Sequence, residues 1–374
     1  MLPNRFQASK GWIVKELDDV IAAYRQAQRN NEMCLIATLI RVEGSSYRRV
    51  GARMLLTSSG GRAGSMSGGC LEGEIQKKAW WLTENGPVVR EYRTSGEDEL
   101  GMPYGLGCNG TLHILLKRAD DEDSIRIDLL ERLRNERANV SLATILNTPA
   151  VGRQRLYPGD DQGSDPLLRD DAVQRTLERV AASEVSEYLT LGESEIFVEA
   201  LTPRPRLVVL GAGDDARPVV RFARLLGWDV VVADGRAHLA TRPRFLEATD
   251  VKCAPAAELP LTCNIRRNDA VVIMSHSFEQ DRILLCALLP MPLRYLGLLG
   301  PRHRTAQLIE GIQMETPHLE GMARLHSPIG LDIGAHTSET IALAIIAEIQ
   351  SVFSRVDAAA TKGIKQSDAS GVPA

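Results

Sequence analysis

Residues 206–234 read RLVVLGAGDDARPVVRFARLLGWDVVVAD and predict a strand, a glycine turn, a helix and a second strand. In such a turn Gly211 permits the tight bend, Gly213 lets the backbone approach a diphosphate, and Ala216 lets the helix lie close to the sheet. Free amides at the start of the helix favour an anion. Asp234 ends the second strand, where a carboxylate can accept a hydrogen bond from a ribose hydroxyl. This stretch therefore predicts a Rossmann-like sheet with a candidate cradle for a dinucleotide.

The acidic residues of this turn leave open what it binds. Asp214 and Asp215 stand at the start of the helix, where phosphates would lie, and they repel a diphosphate unless they turn outward. Alternatively, they only offset the helix dipole, a contribution of a few tenths to about 1 kcal/mol. The pattern predicts the fold, and a bound nucleotide remains one of two alternatives.

Apolar strands and helices alternate beyond this stretch. Candidate strands at 269–276 and 293–300 read DAVVIMSH and LRYLGLLG, and an apolar helical pattern follows them. Such alternation indicates a parallel sheet that helices cover on both faces. We therefore assign residues 204–355 to a Rossmann-like domain. We expect the tail, 356–374, to be disordered because it has too little apolar content to pack.

The first third of the chain has a different pattern. Helix-like and strand-like runs mix there, with a helix at 13–28, strands at 34–42, 52–57 and 111–116, and a helix after the loop GSMSGGC. Residues 1–118 form the predicted N-terminal α+β domain. Residues 119–203 are dense in charge and show only short strand-like runs, which favours a connecting region. The expected fold class is α/β, an N-terminal α+β domain followed by a Rossmann-like doubly wound parallel-sheet domain.

Composition limits the function classes. At 374 residues, with 44% hydrophobic and 25% charged residues, the chain is long enough for two folded units. A formal net charge of −4 offers no basic field for nucleic acid, so we expect no nucleic-acid partner.

We find no apolar signal core at the start and no apolar run long enough to span a membrane, and therefore expect a soluble, cytoplasmic protein. The six scattered cysteines favour reduced thiols over a disulfide framework.

Two cysteines lie between glycines. Gly68-Gly69-Cys70 precedes a predicted helix, and Cys108 lies in GLGCNG before a predicted strand. Glycine neighbours leave the sulfur and the backbone amides accessible, and a helix N-terminus favours the thiolate, which is a soft metal ligand. Cys70 is therefore the candidate reactive thiol. The alternative is that small residues only permit tight packing around inert thiols. No CxxC or HxxxH spacing supports a structural zinc site.

Arginines accompany serines and glycines in the loop EGSSYRRVGARM, residues 43–54. The guanidinium groups of Arg48, Arg49 and Arg53 have the fixed donor geometry that holds a phosphate or the polar edge of a ligand. A solvated loop face is the alternative. The loop shares its domain with both cysteine loops, which favours the binding role.

The same segments resemble the XdhC/CoxI family, the accessory factors of xanthine dehydrogenase, CO dehydrogenase and related aldehyde oxidoreductases. The first domain contributes GSSYRRVGARM, GSMSGGCLEGEI and GLGCNG. The second contributes LVVLGAGDDARPVVRFARLLGWDVVVADGR, IMSHSFEQDRILLCALL, RYLGLLGPRHR and HSPIGLDIGAHTSETIALAIIAEI. These segments keep the family's order and leave only the middle region and the tail uncovered.

The resemblance implies a maturation factor rather than an enzyme. Such a factor binds molybdenum cofactor, as molybdopterin or its cytosine dinucleotide form, and protects it during sulfuration. It then delivers the cofactor to an apo-molybdenum hydroxylase, with a cysteine desulfurase or sulfurtransferase as a further partner. Cys70 matches the family's SGGC cysteine and is the candidate molybdenum ligand. The candidate cofactor contacts, from the residues and the resemblance together, are Cys70, Cys108, Gly68, Gly69, Arg48, Arg53, Gly211, Gly213, Asp234 and His276.

The chain departs from the family pattern near His276, which matches the family's His-Asp-type segment together with Asp281. Ser277 replaces a common aspartate, Pro301 replaces a serine, and Asn109 replaces a glycine in the first domain. The alternative for His276 is that it only forms a hydrogen bond to a loop.

Two other function classes remain: an NAD(P)-dependent oxidoreductase, and a scaffold for hydroxylase assembly that holds no cofactor. A homo-oligomer would shield a large, oxygen-labile cofactor.

Overall fold

The computed structural model describes residues 14–44, 46, 48–67, 70–93, 110–147, 149–159, 165–316, 318 and 320–354. Of Cys70, only the backbone is described. Contacts divide the chain between Arg204 and Pro205 into two compact units, one residue beyond the boundary that the sequence suggests. The first unit contains two antiparallel sheets, and the second contains one parallel sheet.

The first sheet of the first unit has five antiparallel strands in the order β3-β2-β1-β5-β4. Its elements are α1 (Val14–Arg29), β1 (Cys34–Gly44), β2 (Arg53–Thr57), β3 (Arg62–Gly64), α2 (Cys70–Leu82), β4 (Val88–Arg93) and β5 (Gly110–Arg118). Leu71, Ile75 and Ala79 recur at the helical period, so α2 buries one face against this sheet. That packing fixes the start of α2, where Cys70 lies.

The second sheet of the first unit occupies most of 119–203, the segment for which the sequence favours a connecting region. Its order is β7-β6-β9-β8, all antiparallel. The elements are α3 (Asp121–Asn135), β6 (Val140–Ile145), β7 (Gln154–Tyr157), α4 (Asp171–Ser183), β8 (Glu187–Leu191) and β9 (Ser194–Leu201). α4 packs on this sheet in an apolar core that includes Val173, Leu177 and Val180. Strand β6 is buried along its whole length and lacks the alternation that identifies a half-buried strand.

The second unit has a six-stranded parallel sheet in the order β12-β11-β10-β13-β14-β15. Its elements are β10 (Arg206–Leu210), α5 (Ala216–Leu225), β11 (Asp229–Asp234), β12 (Asp250–Cys253), α6 (Leu259–Thr262), β13 (Ala270–Ile273), α7 (Phe278–Leu288), β14 (Tyr295–Leu298), α8 (Arg302–Glu315), β15 (Leu325–His326) and α9 (Ser338–Ser354). Numbered within this unit, the strands run 3-2-1-4-5-6, which is the Rossmann order. The predicted α/β fold class is confirmed.

Helices cover this sheet in two groups. Residues of α7 and α8 join Val208, Val271 and Ile273 in one apolar core. Helix α5 contacts β10, β11 and α9, and the Trp228 ring packs against Phe353 of α9 with 5.6 Å between centroids. Within the described ranges, no helix combines the length and the apolar character that crossing a membrane would need.

Candidate functional site

The strand order of the second unit reverses between β10 and β13, and ligands of such sheets bind outside the carboxyl ends of the strands at this point. The predicted glycine turn lies there. Gly211 has φ +127°, and a Cβ at this position would lie 2.2 Å from the carbonyl oxygen of Met274. Only glycine therefore allows β10 to leave the sheet this close to the end of β13. At Gly213 a Cβ would lie 2.6 Å from Asp215 Oδ1, so the Asp215 side chain would have to move.

Asp234, at the end of β11, is buried and has protein partners on both carboxylate oxygens. Oδ2 accepts from the Ala212 amide at 2.8 Å and from Arg236 Nη2 at 2.7 Å, while Oδ1 accepts from the Arg236 amide at 2.8 Å and from its Nε at 2.9 Å. Burial by itself raises the pKa of Asp234, but these hydrogen bonds bring the pKa below its ordinary value. Through the Ala212 amide, Asp234 holds the glycine turn in place. Because its oxygens already have these partners, the ribose contact that the sequence suggests is disfavoured.

The two acidic residues of the turn face different partners. Asp214 is exposed and accepts from Arg244 Nη2 at 3.0 Å. Asp215 Oδ2 lies 2.7 Å from His276 Nε2. His276 has φ +59°, a left-handed conformation in which histidine is one of the enriched residues. The predicted cofactor residue His276 therefore adjoins the predicted glycine turn, and its exposed ring lies at the crevice.

A polar cluster holds the loop that carries His276. The Ser275 hydroxyl donates to Asp281 Oδ1 at 2.5 Å, and Arg304 Nη1 donates to Asp281 Oδ2 at 2.6 Å. Asp281 is buried in the first turn of α7. Arg236 Nη2 also lies 3.4 Å from the Ser275 carbonyl oxygen. The sequence pattern did not single out Ser275 or Arg304, although Ser275 lies at the end of one predicted strand and Arg304 follows another.

Glu72 organises the loop before Cys70 in the first unit. Cys70 begins α2, while Gly68, Gly69 and Cys108 lie outside the described residues. Glu72 Oε1 accepts from the amides of Met66 and Ser67, at 2.8 and 2.7 Å. Oε1 also accepts from the Ser65 hydroxyl at 2.9 Å, and Oε2 accepts from the Ser67 hydroxyl at 2.8 Å. The sequence analysis did not identify this role. The feature that could have indicated it is an acidic residue in the first turn of a helix that follows a small-residue loop.

Two of the predicted arginines, Arg48 and Arg53, have partners inside the first unit. Arg53 pairs with Glu199 of β9 through Nη1–Oε1, at 2.9 Å, and through Nη2–Oε2. Its Nη1 also donates to the Gly51 carbonyl oxygen at 2.9 Å, and both charged side chains are largely buried. Arg48 pairs with Glu16 of α1. Arg53 thus joins the two sheets of its unit, and its contacts favour a structural role over a cofactor contact.

Of the four described thiols outside the glycine loops, three have a raised pKa and the fourth, Cys253, is exposed. Cys34, Cys253, Cys263 and Cys286 are free. Burial raises the pKa of Cys263 to about 11 and also raises the pKa of Cys34 and Cys286. In the part of the chain that the structure describes, no three His, Cys, Asp or Glu residues are grouped to hold a metal ion. The roles of Cys70 and Cys108 stay predictions.

Family models match both units of the chain. A model of the XdhC Rossmann domain matches residues 207–349, and a model of the XdhC and CoxI family matches residues 27–93. Together they cover more than half of the chain, and each matches the part in which the corresponding motifs lie. These features define a two-part protein with a glycine-cysteine loop and a Rossmann-like unit. The chain belongs to the XdhC and CoxI family.

Similar proteins extend over most of the chain. A Bacillus subtilis protein described as a probable xanthine dehydrogenase subunit is 29% identical over 87% of this chain and 95% of its own. The Escherichia coli molybdenum cofactor insertion chaperone PaoD is 23% identical over 87% of this chain and 86% of its own. A crystal structure of a Bacillus halodurans protein described as a xanthine dehydrogenase matches with a TM-score of 0.74 and 29% identity, over 92% of this chain and 98% of that one.

Proposed function

We propose that this protein is a maturation factor that binds molybdenum cofactor, supports its sulfuration and inserts it into a xanthine dehydrogenase-type molybdenum hydroxylase. The observation that carries the proposal is Cys70 at the start of α2, in a chain similar to PaoD along most of its length. A helix start favours the thiolate, and thiolate sulfur suits softer metals and sulfur-bearing centres. The cofactor is cargo for this protein, so no chemical turnover is required of it.

Each unit has candidate groups of its own for that cargo. In the second unit, the start of α5 favours a phosphate or diphosphate, Gly213 lacks a side chain at the turn, and the exposed His276 ring lies beside it. In the first unit, Cys70 approaches molybdenum or carries sulfur. Delivery requires release of the cofactor. We therefore expect an affinity for cofactor that is modest enough for dissociation to be as fast as delivery to the hydroxylase.

The oxidoreductase alternative is weakened by Asp234. Dinucleotide enzymes use the acid at this position to bind ribose hydroxyls. Here both of its oxygens already accept from Arg236, and one also accepts from the Ala212 amide.

The partners that we propose are an apo-molybdenum hydroxylase and a cysteine desulfurase or sulfurtransferase. A homo-oligomer and a cytoplasmic location remain part of the proposal.

Anaerobic titration with molybdenum cofactor tests the proposal, with bound pterin and molybdenum scored after gel filtration. We expect saturable binding by the wild type and at least tenfold weaker binding by Cys70→Ala or Cys108→Ala. Cys253→Ala is the matched control, because Cys253 is an exposed free thiol of the second unit and should leave binding unchanged. No binding by folded wild-type protein would refute cofactor binding.

A transfer assay separates a cofactor carrier from a scaffold. Loaded protein, mixed with an apo-molybdenum hydroxylase, should restore hydroxylase activity without added free cofactor. A scaffold would bind the hydroxylase and leave it inactive under these conditions. Reduction of NAD by the protein with a small organic substrate would instead support the oxidoreductase alternative.

A further inference from the structure

Glu72 is a buried carboxylate in the first turn of α2, two residues after the candidate thiol, and it has no part in the cargo binding proposed above. Its side chain turns back over the preceding loop rather than along the helix. Four donors of residues 65–67 converge on it, two consecutive backbone amides and two serine hydroxyls, all between 2.7 and 2.9 Å. Hydrogen bonds to an ionised carboxylate are about twice as strong as those between neutral groups.

Consecutive amides that point at one place form a concave anion site of the kind that often holds phosphate. In this loop the carboxylate of Glu72 occupies that position. The amides of Met66 and Ser67 already donate to Glu72, so they are not the groups that would hold an anionic ligand.

We propose that Glu72 is the positioning residue of the cysteine loop. It ties the backbone of residues 65–67 to the first turn of α2, the helix that begins at Cys70. Glu72 does not touch the cargo. The importance of this loop for cargo rests on the proposed function, whereas the effect of Glu72 on the Cys70 thiol can be measured without cofactor.

The pH dependence of Cys70 alkylation by iodoacetamide tests this proposal. Mass spectrometry of the Cys70 peptide gives the rate between pH 6 and pH 10 in the full chain. In Glu72→Ala, the midpoint of the rate profile should rise toward that of a free cysteine, about 8.5, because the start of α2 is no longer tied to the loop before it. Loss of a negative charge alone would lower the midpoint, so the direction separates positioning from simple electrostatics.

Two further measurements sharpen the result. Formate at tens of millimolar should enter the vacated anion site of Glu72→Ala and restore the wild-type midpoint, since it supplies the missing carboxylate. Glu74→Ala is the matched control: Glu74 lies on the same helix and pairs with Lys78 at 3.2 Å, so its midpoint should equal that of the wild type or lie slightly below it. An unchanged or lowered midpoint in folded Glu72→Ala overturns the proposal.

Glu72→Gln keeps the proposal testable if Glu72→Ala does not fold. The amide oxygen of glutamine can still accept from the two backbone amides, so this variant should fold and show a smaller rise of the midpoint. A midpoint equal to or below that of the wild type would overturn the proposal. The outcome is separable from the proposed function: a wild type that binds no cofactor refutes that function alone, whereas a shifted midpoint still supports Glu72 as the positioning residue.

Discussion

At the scale of single residues, Asp234 shows how a familiar motif residue can take another role. The glycine turn and the acid at the end of β11 match a dinucleotide site in sequence, yet Arg236, two residues further on, covers the carboxylate. Asp234 then stabilises the turn through the Ala212 amide. The contacts of Arg236 are local, but their direction depends on the bend after β11. Nucleotide recognition cannot be inferred from the motif alone.

Replacing Arg236 with alanine should destabilise the fold, because it leaves the buried Asp234 carboxylate with fewer hydrogen-bond donors. We expect the free energy of unfolding at pH 7 to fall by about 1–2 kcal/mol, a modest value because Arg236 is partly exposed. Chemical denaturation measures it. Arg221→Ala is the control, because its pair with Glu247 is exposed at both ends and should contribute less than about 0.5 kcal/mol.

The same pair predicts the sign of a pH effect. The pKa of Asp234 is lower in the folded protein than in the unfolded chain. The ionised carboxylate therefore stabilises the fold above about pH 4, and this contribution is lost as the pH falls through the folded-state pKa. The difference in unfolding free energy between wild type and Arg236→Ala should shrink over that acidic range. A difference that grows with acidification would contradict the assignment.

At the scale of secondary-structure elements, the buried pair of Arg53 and Glu199 connects β2 of the first sheet with β9 of the second. Partners far apart in sequence come together because the two sheets share one compact unit. A charge buried with its partner is stabilised mainly relative to the same charge left alone. The pair therefore makes the position of each sheet depend on the other.

Removing one member of this pair should be more harmful than removing both. Glu199→Ala should lower the free energy of unfolding by about 3–5 kcal/mol, because it leaves the Arg53 charge buried. The double variant Arg53→Met, Glu199→Leu should recover most of that loss. Glu195→Ala is the matched control on β9, since the pair of Glu195 with Arg41 is more exposed and should contribute at most about 1 kcal/mol. Equal losses in Glu199→Ala and Glu195→Ala would refute the assignment.

At the scale of the whole molecule, the chain consists of two units, and each has its own apolar core. The division lies between Arg204 and Pro205, where the sequence also changes from mixed patterns to buried parallel strands. The family models match separate parts on the two sides of this division. The roles that we propose for the thiol loop and the glycine turn fall on opposite sides of this boundary.

A fragment that starts at Pro205 should fold without the first unit. It contains one of the chain's four tryptophans, Trp228, which is buried against Phe353. We expect blue-shifted Trp228 fluorescence and a single cooperative urea transition, with an unfolding free energy of about 5–15 kcal/mol. Emission typical of exposed tryptophan and a gradual urea response would show that the second unit requires the first.

The sequence by itself determined the parts whose signals are local. The run from β10 to β11 could be predicted because buried strands, a glycine turn and a helical period occur within 29 consecutive residues, 206–234. The helix start at Cys70 was predictable for the same reason. The roles of the candidate site residues were predicted from motifs and from family resemblance, and Gly68, Gly69 and Cys108 lie outside the described residues.

Only the tertiary structure decided which polar groups face each other. Arg53 meets Glu199 across 146 residues, and His276 meets Asp215 across 61, so no local pattern could pair them. The sheet within 119–203 was not predicted because its strands pair in the order β7-β6-β9-β8, an arrangement that the short strand-like runs of this segment do not specify. Periodicity records which positions are buried, whereas the partners of a buried charge depend on how distant elements pack.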